Sequence, residues 1–237
     1  MSKDDKLVSL SGAPIYRHGE PATWSAPKGE ECLEQISDHI EAHLGPVAWV
    51  LHEIASDTVH IDVHVVLPTA QYPCIRLVTS GMSDLPMTVP ADVDAPRHLE
   101  LLMTLPADWK LDEASFADEN WYWPVRLLKT LARLPHKHAT WLGWGHTMPN
   151  GDPTEPYASD TPFTGAILLP PLSVPEEFQR LRIDEHKEIA FYAVFPLHDD
   201  EMDLKLRRGA RELLQRFDAA DLDDRVDPAR PSVVGSP

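Results

Sequence analysis

The sequence predicts an α+β fold, a mostly antiparallel mixed β-sheet flanked by α-helices within one domain. Three observations carry this. Short apolar stretches come in adjacent pairs, as at 47–55 and 59–67, the second with a clean two-residue alternation. Amphipathic stretches of helical period stand before, between and after the strand pairs, at 30–44, 123–134 and 199–217. Strands joined by short turns pair antiparallel, and helices spaced along such a chain pack on the faces of the sheet. No internal repeat or composition shift interrupts 29–218. Residues 1–28 read as an irregular lead-in and 219–237 as a loosely held tail rich in Asp, Pro, Arg and Ser.

The first helix places Leu33, Ile36, Ile40 and Leu44 on one stripe, with Glu30, Glu31, Glu34, Asp38 and Glu41 toward water. Gly45-Pro46 ends it, because glycine accepts a left-handed cap and proline cannot continue the helix. The strands 47–55 and 59–67 form a hairpin through Ser56-Asp57-Thr58. The second sets Val59, Ile61, Val63 and Val65 on one face and His60, Asp62 and His64 on a wetter one. A strand at 72–79 runs into the turn-rich loop from Ser80 to Asp84. Another at 98–105 turns Leu99, Leu101, Met103 and Leu105 inward.

A helix over 123–134 has Pro124 in its first turn, Val125, Leu128 and Leu131 as its stripe, and Pro135 as its stop. A strand at 141–148 breaks at Pro149-Asn150-Gly151-Asp152-Pro153, and strands at 163–169 and 188–195 follow. The last helix, 199–217, carries Asp199, Asp200, Glu201 and Asp203 at its start and Arg207, Arg208, Arg211 and Arg216 later, matching the helix dipole. Met202, Leu206, Ala210, Leu213 and Phe217 give its stripe.

Composition narrows the function. The chain has 237 residues with 21 Lys+Arg against 38 Asp+Glu, a formal net charge of −17. Such a surface repels phosphate backbones and anionic headgroups, so direct nucleic-acid and membrane binding are disfavoured. It either serves solubility or speeds encounter with a basic partner. The N-terminus has no signal-peptide apolar stretch, and nowhere do about 18 apolar residues run together, so a cytoplasmic protein is expected. Two cysteines, Cys32 and Cys74, form neither a disulfide framework nor a multi-cysteine zinc site.

Catalytic constellations are sparse. His60, Asp62 and His64 share a strand face, and His136, His138 or His146 could complete a metal shell. The alternative is a row of half-exposed polar positions, and no metal or cofactor is expected. Cys32 sits among Glu30, Glu31 and Glu34, which disfavour a thiolate, and both cysteines read as small core residues. No G-x-S-x-G elbow and no phosphate-cradling glycine loop occurs. Four of seven tryptophans, Trp121, Trp123, Trp141 and Trp144, fall within 121–144. They serve the core or anchor an interface. The residues alone favour a binder over an enzyme.

Several stretches together resemble the suppressor of fused domain family. They are the run from Thr79 to Met87, the run from Leu99 to Pro106 with Trp109, and Trp123-Pro124-Val125. The run from Gly145 to Gly151, the stretch 163–169 and Val226-Asp227-Pro228-Ala229-Arg230-Pro231 fit the same pattern, so the resemblance spans about 30–231. It implies a compact α+β domain without known catalysis. In animals the family member restrains a transcription factor by gripping a peptide of it, partly by strand addition, and short bacterial relatives are thought to be immunity proteins for polymorphic toxins. A −17 inhibitor suits a basic toxin domain, which makes an immunity protein the first expectation. A regulatory scaffold that sequesters a signalling or transcription protein is the second. A metal-dependent enzyme using His60, Asp62, His64 and His146 is the third. No contact motif of the family transfers residue by residue. The partner-binding candidates are therefore taken from two irregular segments: Ser80, Met82 and Asp84 in one, Trp144, His146, Asn150 and Asp152 in the other.

Overall fold

The protein is described here by a computed structural model covering residues 7–19, 32–52 and 59–235. A short ribbon of β1 (Leu7–Val8) and β2 (Pro14–Ile15) precedes helix α1 (Leu33–His43). Strands β3 (Val47–Leu51), β4 (Asp62–Val66), β5 (Cys74–Ser80) and β6 (His98–Pro106) follow, then helix α2 (Glu119–Lys137). Strands β7 (Thr147–Pro149), β8 (Gly165–Leu169), β9 (Arg180–Arg182) and β10 (Glu188–Leu197) lead into α3 (Asp199–Arg208) and α4 (Ala210–Ala219).

Eight strands form one sheet in the order β3-β4-β5-β6-β10-β8-β7, with β9 beside the start of β10. Among the described residues its one parallel pairing joins β6 to β10, where Ala190 lies opposite Leu99. This is the mixed, mostly antiparallel sheet that the strand pairs predict. Consecutive strands β3 to β6 pair antiparallel, whereas β6 and β10 are linked across α2 and three further strands, a crossover long enough to permit parallel alignment.

Both faces of the sheet are covered. Under α2, Val63, Val65, Leu77, Leu101 and Met103 pack against Trp123, Leu128 and Leu131. On the other face Ile36 and Ile40 of α1 press on Val66, Val78, Leu102 and Phe191. Beside them, Met202 of α3 and Leu213 and Phe217 of α4 cover Ile167, Leu169, Phe195 and Leu197. The expected wet face of β4 is therefore corrected. All five residues of β4 are buried, because α1 lies over the side where alternation placed His64 and Asp62.

Other boundaries move for local reasons. Leu33 begins α1 but is exposed, and Cys32 takes its place in the core. Helix α2 starts four residues before 123, where the Asp118 carboxylate accepts the backbone N–H of Asn120, so Pro124 lies in its second turn. The expected strand at 141–148 shrinks to β7. Gly145 there adopts φ 72° and gives its N–H to the Leu168 carbonyl, making 141–146 a loop. The expected single last helix breaks at Gly209, whose φ of 91° and ψ of 165° admit little but glycine. The expected hairpin turn at 56–58 and the helix start at 30–31 lie outside the described residues.

The C-terminal stretch is not a loose tail. Val226 donates its N–H to the Thr104 carbonyl, and Asp224 accepts from both the N–H and the hydroxyl of Ser173. Further on, Arg230 enters the core beside Phe163, Phe195 and Phe217 and grips Glu201 of α3 with both terminal nitrogens, at 2.6 and 2.7 Å. Composition hid this, because the apolar cover for the arginine comes from distant elements.

Candidate functional site

The loop after β5 is built around a backbone constraint. Gly81 takes φ 99°, and any Cβ there would run into the carbonyl oxygen of His60. The turn that follows, Met82–Asp84, sits on β6. Ser80 is buried and shares a 2.9 Å hydrogen bond with Nε2 of His64. Met82 is buried in the α2-side core, and its carbonyl accepts from Nε2 of His136 at 2.8 Å. Beside them the Glu100 carboxylate is fully buried, accepting from the Thr79 hydroxyl (2.6 Å), the Ser83 hydroxyl (2.7 Å) and the Ser83 N–H (2.9 Å). Burial pushes its pKa up to about 7, against the pull of those hydrogen bonds. Ser80 and Met82 thus hold the frame and present no surface to a partner, while Asp84 is half-buried at the rim.

The second set lies at an edge of the sheet, before and after β7. Trp144 is 52% exposed. His146 is half-buried, with its ring 4.3 Å from Trp141 and 6.3 Å from Tyr16. Desolvation, with the Lys205 ammonium adding to it, pushes its pKa down to about 4, so it is neutral at physiological pH. Lys205 donates to the Thr147 hydroxyl. Asn150 spends its side-chain amide on the carbonyls of Glu155 and Pro156, shaping the turn, and Asp152 is exposed.

Near His146 the structure brings in a segment that the sequence did not single out, with Tyr16 6.3 Å from the imidazole ring. The β1–β2 ribbon reaches this corner, with Ser11 donating its N–H to the Leu206 carbonyl and lying beside Gly209. It brings Leu7, Val8, Leu10 and Tyr16, each about half exposed or more. Their signal was weak, since the lead-in offers only scattered apolar residues.

The histidines do not assemble as the spacing predicts. His64 turns to Ser80, and burial lowers its pKa to about 4, opposed by Asp62 and helped by His52. His136 belongs to Met82, His138 stacks near His18, and His146 lies at the far edge. Asp62 instead meets His52 (2.8 Å) and His60 (3.1 Å). Cys32 and Cys74 are both buried, and burial raises the Cys74 thiol pKa. No helix among the described residues is long and apolar enough to cross a membrane.

Residues 57–231 match the family model described as Suppressor of fused protein (SUFU). Among solved structures the chain is similar to a SUFU homologue from Neisseria gonorrhoeae. The TM-score is 0.63 at 16% identity, covering 86% of this chain and 97% of that one. It is also similar to a chain of the Sufu-Fu complex, with a TM-score of 0.58 at 16% identity over 87% of this chain and 93% of that one. At such identity the likeness is one of fold. No curated protein matches the sequence.

Proposed function

The chain belongs to the suppressor of fused (SUFU) family, and from that premise we propose that it works by binding another protein, without catalysis, as an immunity protein that neutralises a cognate toxin. Family membership carries the binding part of this reading, and a similar fold occurs in a protein seen in complex, Sufu with Fu. The formal charge of −17 supports the toxin part. A toxin domain that acts on nucleic acid needs a basic surface, and an acidic cytoplasmic inhibitor finds and covers that surface quickly.

The proposed contact surface takes in the exposed Trp144, the neighbouring His146 with Tyr16 6.3 Å from its ring, and the exposed Asp152 turn. An exposed aromatic with apolar neighbours on a charged protein has the make-up of an interface anchor. The net charge of −17 acts over the whole surface. Charge therefore steers the approach over distance, and apolar contact holds the complex.

The scaffold reading uses the same kind of surface and differs in what happens to the partner. Capture on the tagged protein at low salt and, in parallel, at high salt tests the proposal. A single basic partner at 1:1 stoichiometry that is captured more slowly at high salt and is toxic when expressed alone supports immunity. Retention of acidic, non-toxic proteins only would overturn it.

A further inference from the structure

The geometry points to a divalent metal site where β3 ends and β4 begins, formed by His52, His60 and Asp62 and suited to zinc. Two features of the backbone bring these residues together. Leu51 pairs with Val63 and Val50 with His64, so the next position along β3, His52, falls opposite Asp62. Residues directly opposite on one face of an antiparallel pair lie close enough for their side chains to meet. His60 precedes Asp62 by two and so shares its face.

The ligand atoms converge. Nδ1 of His52 lies 2.8 Å from one Asp62 carboxylate oxygen, and Nε2 of His60 lies 3.1 Å from the other. One ligand atom from each residue fits within a sphere where all are within 4.8 Å of one another. Ligands around a tetrahedral zinc with bonds of about 2.0–2.1 Å are about 3.3 Å apart, so small side-chain adjustments suffice. A shared cation would satisfy both contacts at once. A neutral imidazole nitrogen aimed lone pair first at a carboxylate oxygen is repelled, so each contact needs either its own proton or one shared metal ion. Two imidazoles and a carboxylate are the donor set that zinc and similar divalent ions accept, and magnesium or calcium would prefer more oxygen.

Burial is arranged for reversible access. The Asp62 side chain is 6% exposed, while those of His52 and His60 are 64% and 48% exposed. The carboxylate is thus fixed in the sheet, and the imidazoles close on it from the solvent side. Three protein ligands leave a fourth position for water or for a donor side chain of a bound protein. His64 is not among the converging residues, and its Nε2 is engaged by Ser80.

Zinc chloride titrated into the full-length protein, followed by calorimetry and by metal analysis after desalting, tests the site. The expected result is about one zinc per chain, with affinity falling at least tenfold in His52→Ala and in His60→Ala. Both imidazoles are exposed, so these variants should keep the wild-type melting temperature. His43→Ala, which disturbs the neighbouring His39–His43 pair on α1, should bind zinc as the wild type does. Cobalt substituted for zinc should give the intense visible bands of four-coordinate Co(II) only when His52 and His60 are both present. No zinc retained by the wild type would overturn the proposal and leave a hydrogen-bonded trio. Undiminished binding in the His52→Ala/His60→Ala double variant would overturn it by placing the ion elsewhere.

Discussion

Arg230 and Glu201 show what single side chains do in this fold. Both are almost fully buried, and each oxygen of the carboxylate takes a guanidinium N–H. Glu201 also accepts the N–H groups of His198 and Val233, which ties the start of α3 to the C-terminal stretch. Removing one partner of such a pair strands a buried charge, at a cost of about 3–5 kcal/mol. Arg230→Met should therefore lower unfolding stability by about that much in urea titrations, and Glu201→Gln added to it should recover part of the loss. Glu100 gives a pH-dependent prediction. Its folded pKa of about 7 exceeds its ordinary 4.5, so the folded state binds the proton more tightly than the unfolded chain. Its contribution is full below about pH 4.5 and is lost as pH rises through about 7, a change on the order of 3 kcal/mol. The stability difference between wild type and Glu100→Gln, measured from pH 4 to 8, should move by that amount. Taking the difference removes His64, whose lowered pKa acts with the opposite sign. Parallel curves for the two proteins would contradict the assignment.

At the scale of elements, the turns decide where strands and helices stop. Gly81 combines a positive φ with a backbone collision, whereas a Cβ at Gly209 would meet only Cβ of Ser11 at 3.8 Å. Gly209→Ala should cost about 1–3 kcal/mol from backbone strain alone, and Gly81→Ala distinctly more, as read by thermal unfolding. Equal losses would mean that the His60 carbonyl can yield. The same elements show how much was legible beforehand. Period-two alternation located β4 and β6 and the right inward set on β6, because an antiparallel strand must alternate. Exposure was not legible: alternation marks which residues share a face, and only the placement of α1 decides whether that face is wet. Gly209 looked like one glycine in a strong helical period, and only its φ and ψ reveal a break. His52 was reachable in principle, since strands 47–55 and 59–67 joined by three residues already set it opposite Asp62. Spacing along one strand alone led to His64 instead.

For the whole molecule, a closed two-faced core leaves function to the surface. Met82 and Trp144 make opposite predictions. Met82→Ala should lower stability by about 2–5 kcal/mol while the folded protein keeps its partner affinity. Trp144→Ala should leave the melting temperature unchanged and weaken the partner by at least about tenfold, the scale of an interface anchor. The two ends of the candidate set thus part ways: the 80–84 segment was legible as irregular but not as buried, and the 144–152 segment kept one exposed anchor. Net charge of −17 adds a long-range term. Raising salt from about 0.05 to 0.5 M should slow association far more than dissociation, because screening acts on the encounter. The most direct test of immunity is an inhibition titration, in which the toxic activity of the captured partner is followed as this protein is added. A linear loss of activity that ends at one equivalent is the predicted result. Full activity retained in a saturated 1:1 complex would contradict it and make the protein a scaffold.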